Sequence, residues 1–528
     1  MNAVTLPVLA AITAALTSLT TPPDDNSTTP LATQTLSYAQ ARHLLMRAGF
    51  GGTPAEIKRL QALGVEGAVR HLVRFASIPT EFVAHGVTPV ERPSREMFRM
   101  LDEDGRRKMR QKLRREDSRK LSGLRAWWID RMLKSPRPFE EKMTLFLHGH
   151  LTSGYRDVRN AHHMAMQNDL YRKHAAGNFI ELVQAVAKDP AMLEYLDNNR
   201  NNRRAPNENF ARELMELFTL GEGHYTEKDI KEAARAFTGW TFHRREGGFH
   251  FNRGQHDFGK KTFLGQTGRF NGGDIIRIIF EQKEASQHLA SELIEFFAIK
   301  ATPSEIAPYA EILRQSKFDL APFFTTLFSS KWFYSDRVRG QQVKSPVVLM
   351  ISTLRMLGHT DLRSGACAML ALACRNVGQE LFQPPNVKGW DGGAAWVTSS
   401  NLLTRYNMLR TVITGNAPNR NNMQSNRGGS QRDRRRNRTF VISGSASQRL
   451  LSELRKKKPA NSEEVLKELE ARFLSVPLAP ARRQTLLDFL AGADGSPTLD
   501  LQNKPRRWSN KVKELLHLLT TTPEFQIN

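Results

Sequence analysis

The chain has 528 residues, of which 40% are hydrophobic and 8% aromatic, enough to bury a large core and to exclude a disordered protein. Lys and Arg total 77 against 53 Asp and Glu, and the formal net charge of +24 permits attraction to nucleic acid, anionic lipid or acidic polysaccharide. The only cysteines, Cys367 and Cys374, would sit about 10.5 Å apart along a helix axis; that is beyond disulfide reach, and no zinc-type Cys/His spacing accompanies them.

Residues Val4 to Leu19 are mostly apolar or small, and TTPPDDNSTTP follows. This is similar to a signal-peptide apolar region and linker, although no basic residue precedes it and no clean A-x-A site ends it. Export to the periplasm or cell envelope is the expectation, with residues 1–36 serving as signal or anchor and linker. No other stretch reaches the roughly 18 apolar residues of a membrane span.

From Ser37 to Ile413 apolar residues recur mainly at i, i+3, i+4 and i+7, which predicts a mainly α fold. The expected architecture is a multi-helix bundle or array with irregular loops and at most a small β-hairpin. A helical core domain is expected over 37–415 and a disordered basic insert over 416–446. A C-terminal helical segment, 447–528, should pack on the core. Two basic runs stand out, Arg106 to Lys120 and Arg427 to Arg438. Met109 and Leu113 make the first a helix with a solvated basic face, with an anionic polymer as partner the alternative reading. The second has no apolar periodicity. Nucleic acid is the weakest reading, because neither run belongs to a recognisable binding motif.

In SPRPFEEKMTLFLHGHL, Ser135 reads as an N-cap, and Phe139, Met143, Phe146 and Leu147 make one face. Glu141, Thr144 and His148 fall on the opposite, polar face. His148 and His150 flank one glycine at the expected helix end, where an H-x-H pair can converge on a divalent metal. The plainer reading gives each histidine a neighbouring backbone partner. Farther on, NENFARELMELFTLG places Phe210, Leu214, Leu217 and Phe218 on one stripe, with Gly221 as terminator. Thr226 and Asp229 then form a capping box, so the two helices read as an αα-hairpin. Glu213 and Glu216 could divide acid and base duties if burial separates their pKa values. Otherwise Arg212 and Glu216 make an ordinary ion pair on a solvated face.

Residues Thr241 to Gly273 lack helical periodicity. In this stretch Gly254, Gly259 and Lys260 reproduce G-x-x-x-x-G-K, but Lys261 stands where a phosphate loop needs Ser or Thr, so no nucleotide loop is expected. His256 beside Asp257 could be a proton-transfer or metal pair. In PPNVKGWDGGAAW, Trp390 and Trp396 could stack on a sugar or a base, or pin the loop into the core.

Taken together, ARHLLMRAGFGGTPAEI, EEKMTLFLHGHL, GNFIELVQAVAKDPAMLEYLDNN, NENFARELMELFTLGEGHYTEKDIKEAARAFTGW, HDFGKKTFLG, PPNVKGWDGGAAW and TTPEF resemble the bacterial domain-of-unknown-function 1800 family, over about residues 38 to 525. The family pattern carries over to Glu141, His148, His150, Asn207, Glu208, Arg212, Glu213 and Glu216. It also carries to Trp240, His256, Asp257, Lys261, Asn386, Gly389 and Trp390. Leu147 departs from a usual tryptophan, and Glu292 from a common basic residue. The resemblance implies a helical, often exported protein without an agreed activity, commonly encoded beside a sulfatase-like protein.

Two functions follow as expectations. In the first, an exported hydrolase or lyase acts on envelope or extracellular polymers. His148 and His150 bind a metal, Glu213, Glu216, His256 and Asp257 move protons, and Arg212, Lys261, Trp390 and Trp396 hold the substrate. In the second, a non-catalytic envelope protein partners the sulfatase-like neighbour.

Overall fold

The computed structural model describes residues 27–243, 247–414, 446–491 and 505–528. The structure is 64% helical with two small two-stranded antiparallel sheets. The expected basic insert and the apolar N-terminal stretch lie outside the described residues. Among the described residues no helix is long and apolar enough to cross a membrane.

Three short helices open the fold: α1 (Tyr38–Arg47), α2 (Pro54–Ala62) and α3 (Gly64–Val73). Capping boxes at Ser37 and Thr53 start the first two by satisfying the free N–H groups of the first turn. Ahead of them the chain is already docked at Ser27, whose Oγ donates to Glu305 O and whose carbonyl accepts from Tyr309. After α4 (Arg95–Met100) comes the 32-residue α5 (Glu103–Lys134). From Leu121 onward one face of it, including Leu124, Trp128, Ile129 and Met132, is buried.

Helix α6 (Pro138–His150) is the centre of the molecule. Phe139, Met143, Phe146 and Leu147 enter one core cluster and Leu145 another, so α6 lies between them. Ser135 does not cap it; it ends α5 instead, and its Oγ accepts from Arg137 N. The next helices are α7 (Tyr155–Val158), α8 (Ala161–Lys173), α9 (Phe179–Val186) and α10 (Pro190–Tyr195).

The expected αα-hairpin forms from α11 (Asn209–Glu213) and α12 (Glu227–Ala236), with the Thr226–Asp229 box in place. Helix α11 continues as π-helical turns over Leu214–Thr219. The wider turn changes the stripe: Met215 is buried and Leu217 is half-buried.

The stretch without helical period forms β1 (Trp240–Phe242) paired with β2 (Phe249–Phe251), and β3 (Lys261–Phe263) paired with β4 (Gln266–Gly268). Helices α13 (Gly272–Glu281), α14 (Lys283–Phe297), α15 (Pro303–Gln315) and α16 (Leu320–Ser329) complete the first core cluster. Beyond these lie α17 (Pro346–Met356), α18 (Ser364–Asn376) and α19 (Ser399–Thr414), then α20 (Gln448–Lys457), α21 (Ser462–Phe473), α22 (Pro480–Ala491), α23 (Pro505–Thr520) and α24 (Pro523–Gln526). The second cluster joins α5 and α17 to these last helices, so the C-terminal segment shares its core with the N-terminal half. Cys367 and Cys374 are buried free thiols.

Candidate functional site

The polar face of α6 is not solvated. Glu141 is 0% exposed and accepts hydrogen bonds from Arg131 of α5, Arg172 of α8 and Trp128 Nε1. His148, on the same face, has its Nε2 at 3.0 Å from Asn168 Nδ2, and its ring lies among Trp128, Tyr171 and Phe382. His150 points elsewhere, with Nε2 at 3.1 Å from Phe218 O and its ring stacked on Phe146. The reason is helical geometry. α6 runs through His150 itself, and residues two apart lie about 200° apart around a helix. The expected His148–His150 metal pair is therefore corrected: the rings diverge into separate buried environments. Among the described residues no group of three or more His, Cys, Asp and Glu gathers to hold a metal.

Burial, reinforced for His148 by Arg172 and for His150 by His288, pushes both imidazoles down to about 3. An unfolded chain binds these protons near the ordinary 6.5, so stability should fall as pH drops from about 6.5 toward about 3. Asp189 and Glu292, both raised to about 7 mainly by burial, act in the opposite direction as pH falls from about 7 toward their ordinary values. Urea unfolding midpoints across this range test the sign for one group. His148→Gln should lose less stability over the window than the wild type. An identical slope would mean that His148 is protonated in the folded chain.

The π turns give His150 its role. They shift hydrogen bonding to i−5, with Leu220 N donating to Met215 O and Thr219 Oγ1 to Leu214 O. The carbonyls of Leu217 and Phe218 meet His288 Nε2 and His150 Nε2 instead. Glu213 and Glu216 lie half-buried on this segment, and Tyr225 OH donates to Glu216 at 3.3 Å. Burial, then the Glu216 charge, raises the Glu213 pKa. Arg212 does not pair with Glu216. It reaches Glu227 at 2.8 Å and Glu208 at 3.4 Å, tying α11 to α12.

The His256 group is architectural. His256 Nδ1 lies 2.8 Å from Thr238 O, and Asp257 accepts from Arg235 Nε at 2.7 Å. Lys261 Nζ donates to the carbonyls of Asp257 and Gly259. These bonds fasten the loop before β3 to the end of α12. Trp396 is buried with Val343, Val397, Leu402 and Ile527, so it cannot stack on a ligand. Trp390 is half-buried, and its ring is against Gly149. The sequence reading thus joined residues that the fold uses separately.

The fold creates a different constellation between α8 and α10. A cleft of about 470 Å³ is lined by His163, Glu194, Tyr195, Asn199 and Asp157, among others. His163 is only 2% exposed, yet neither ring nitrogen has a hydrogen bond. Its Nδ1 lies 3.4 Å from Glu194 Oε2, which also lacks one. Asn160 positions the ring by capping α8 at the N–H groups of His162 and His163, and Phe242 abuts it edge-on at 5.1 Å. Arg159 and Asp197, which also line the cleft, both adopt left-handed backbone, at φ 49° and 55°. Such strain collects at functional sites. A buried imidazole beside a carboxylate in an open polar cleft can accept a proton and be steadied as imidazolium.

Neither His163 nor Glu194 was singled out from sequence. Glu194 lies in the GNFIELVQAVAKDPAMLEYLDNN motif, and Asn160 at a helix start is a local signal beside His163. A family model described as "Protein of unknown function (DUF1800)" matches residues 43–527. No curated protein and no solved structure matches the chain.

Proposed function

We propose, from the premise that the chain belongs to the DUF1800 family of proteins of unknown function, that it is an exported acid–base enzyme, a hydrolase or lyase of envelope or extracellular polymers, working at the cleft between α8 and α10. The observation that carries this reading is His163, buried without a hydrogen bond to either nitrogen in an otherwise polar cleft. The protein offers the ring only Glu194, at 3.4 Å, so a substrate or its attacking water can bond its other nitrogen. His163 takes the proton, from water in hydrolysis or from carbon in elimination, Glu194 holds the resulting imidazolium, and the imidazolium returns the proton to the leaving oxygen as its bond breaks.

The test is turnover of a panel of neutral and acidic polysaccharides by the full chain, read as new chain ends. Wild type should cleave at least one polymer, and His163→Ala should lower kcat/KM by about 10²–10⁴ while the helical circular dichroism of the folded chain is retained. Glu194→Gln should lower it less. Turnover that survives His163→Ala, or none by wild type on any polymer, would overturn the reading. The second outcome would leave the non-catalytic envelope role.

A further inference from the structure

We infer that the polymer is a neutral glycan, whose ring hydroxyls Asn199 and Glu194 hold at the inner end of the His163 cleft, and that it is cut by hydrolysis. This rests on the reading of that cleft as the site of chemistry.

Asn199 is presented by a turn that the fold locks. It is the middle residue of the single-turn helix Asn198–Arg200, which follows Asp197 in its left-handed backbone. Asn198, before it, is buried, and its Oδ1 accepts from Asn201 Nδ2 at 3.0 Å. Asn201, also buried, donates to Ala234 O of α12 and accepts from Asn207 N, both at 2.9 Å. These two amides fasten the turn to the helix behind it. Asn199 faces the other way: it lines the cleft, and its Oδ1 is buried without a hydrogen bond.

Glu194 Oε2 is a second buried acceptor in the cleft without a hydrogen bond, and His163 adds two ring nitrogens likewise unbonded. The inner end therefore presents acceptors and calls for donors. Adjacent hydroxyls of a sugar ring match it, because each donates one hydrogen bond and can accept others. An extended peptide matches it less well, since its successive N–H groups point to opposite sides. Phe242, half-buried and edge-on to His163, supplies an apolar wall for the C–H face of a ring.

Charge decides against an acidic glycan. Among the described residues the lining carries three arginines, Arg92, Arg159 and Arg200, and three carboxylates, Asp157, Glu194 and Asp197. The net charge of +24 carried by the whole chain is thus balanced out in the cleft. The arginines are exposed, and Arg200 pairs with Asp197 at 3.4 Å. A carboxylate carried to the inner end would meet that of Glu194, and such a like-charge meeting selects against it.

A neutral ring also fixes the reaction. Elimination needs a C–H acidified by a neighbouring carboxyl group, which a neutral glycan lacks. In hydrolysis a water oxygen bonds to the anomeric carbon as the bond from that carbon to the leaving sugar oxygen breaks. His163 accepts the proton from water and the leaving oxygen takes it up, so one water is consumed per bond cut.

Binding of soluble glucan, mannan, galactan and xylan to the full chain carrying His163→Ala, which removes turnover, is compared with binding of polygalacturonate. At least one neutral glycan should bind more tightly than polygalacturonate, with an affinity that changes less than about twofold on adding salt. On the same background Asn199→Ala should weaken it about tenfold, and Asn199→Asp, which keeps the acceptor, less than about threefold. Arg92→Gln/Arg200→Gln should cost less than Asn199→Ala. Asn199 makes no side-chain hydrogen bond within the described residues, so helical circular dichroism should be the same in all variants. Wild-type products should carry the mass of one added water per bond cut. Tighter binding of polygalacturonate, no glycan binding, an Asn199→Ala variant that binds normally, a larger loss in the arginine variant, or products lighter by one water would overturn the inference. If a neutral glycan binds through Asn199 but His163→Ala leaves turnover intact, the acid–base reading fails alone. If turnover needs His163 but only acidic glycans are cut, the neutral-glycan inference fails alone.

Discussion

Glu141→Gln should destabilise the chain by about 3–5 kcal/mol, read as a lower urea midpoint at neutral pH, or should prevent soluble expression. Two guanidinium groups converge on this carboxylate from different helices, Arg131 on α5 and Arg172 on α8, and Trp128 Nε1 donates to it at 3.0 Å. Burial pushes the Glu141 pKa up, but Arg172 and Arg131 outweigh it, and the net shift is downward. The amide keeps the shape but removes the charge, leaving two buried cations without their common partner. The same shift fixes a pH dependence. The stability gained from this carboxylate is fully present above its ordinary 4.5 and is lost as pH falls through the lower folded value. Glu66→Gln is the contrast. Its pair with Arg70 is exposed, and the change should stay within about 0.5 kcal/mol. Equal effects of the two substitutions would mean that the Glu141 network contributes no more than a surface pair.

Gly389→Ala should cost about 2–4 kcal/mol, through backbone strain and overpacking together. Gly389 has φ +91°, and a Cβ there would stand 2.1 Å from Gly149 O on the last turn of α6. The obstacle is backbone, which cannot swing aside as a side chain would. The loop is also pinned on its N-terminal side, where Thr152 Oγ1 donates to Val387 O and Arg156 N to Gln383 Oε1. Gly149→Ala tests the same contact from the other side. Its Cβ would meet only the Trp390 ring, at an ordinary 3.5 Å, and a helical Gly-to-Ala change gains about 0.5–1 kcal/mol. Thermal unfolding should show Gly389→Ala well below wild type and Gly149→Ala at or slightly above it. A Gly389→Ala protein as stable as wild type would mean the loop can lift from α6 at little cost.

These two sites show how much of the polar machinery serves the fold. Arg212, Asp257, Lys261 and His256 are all engaged in bonds that fasten one element to another. From sequence they looked like chemistry because catalysis and loop anchoring draw on the same residue types. The groups left unsatisfied, His163 and Glu194, lie in stretches with an ordinary helical pattern.

The sequence by itself determined the helical class, the capping box at Thr226 and Asp229, the αα-hairpin and the separated free cysteines. Each depends on residues within about one or two turns of one another, where side-chain spacing and backbone hydrogen bonding act locally. Tertiary structure alone decided that the polar face of α6 is buried and that its two histidines part. It also decided that the turns after Glu213 widen, and that Trp396 faces inward. Burial and partner choice depend on chain segments far away, such as Arg131, Arg172 and the loop at Gly389, which no local period encodes. His163 was invisible for the same reason: an unsatisfied imidazole exists only once every neighbour that could have bonded it has been placed.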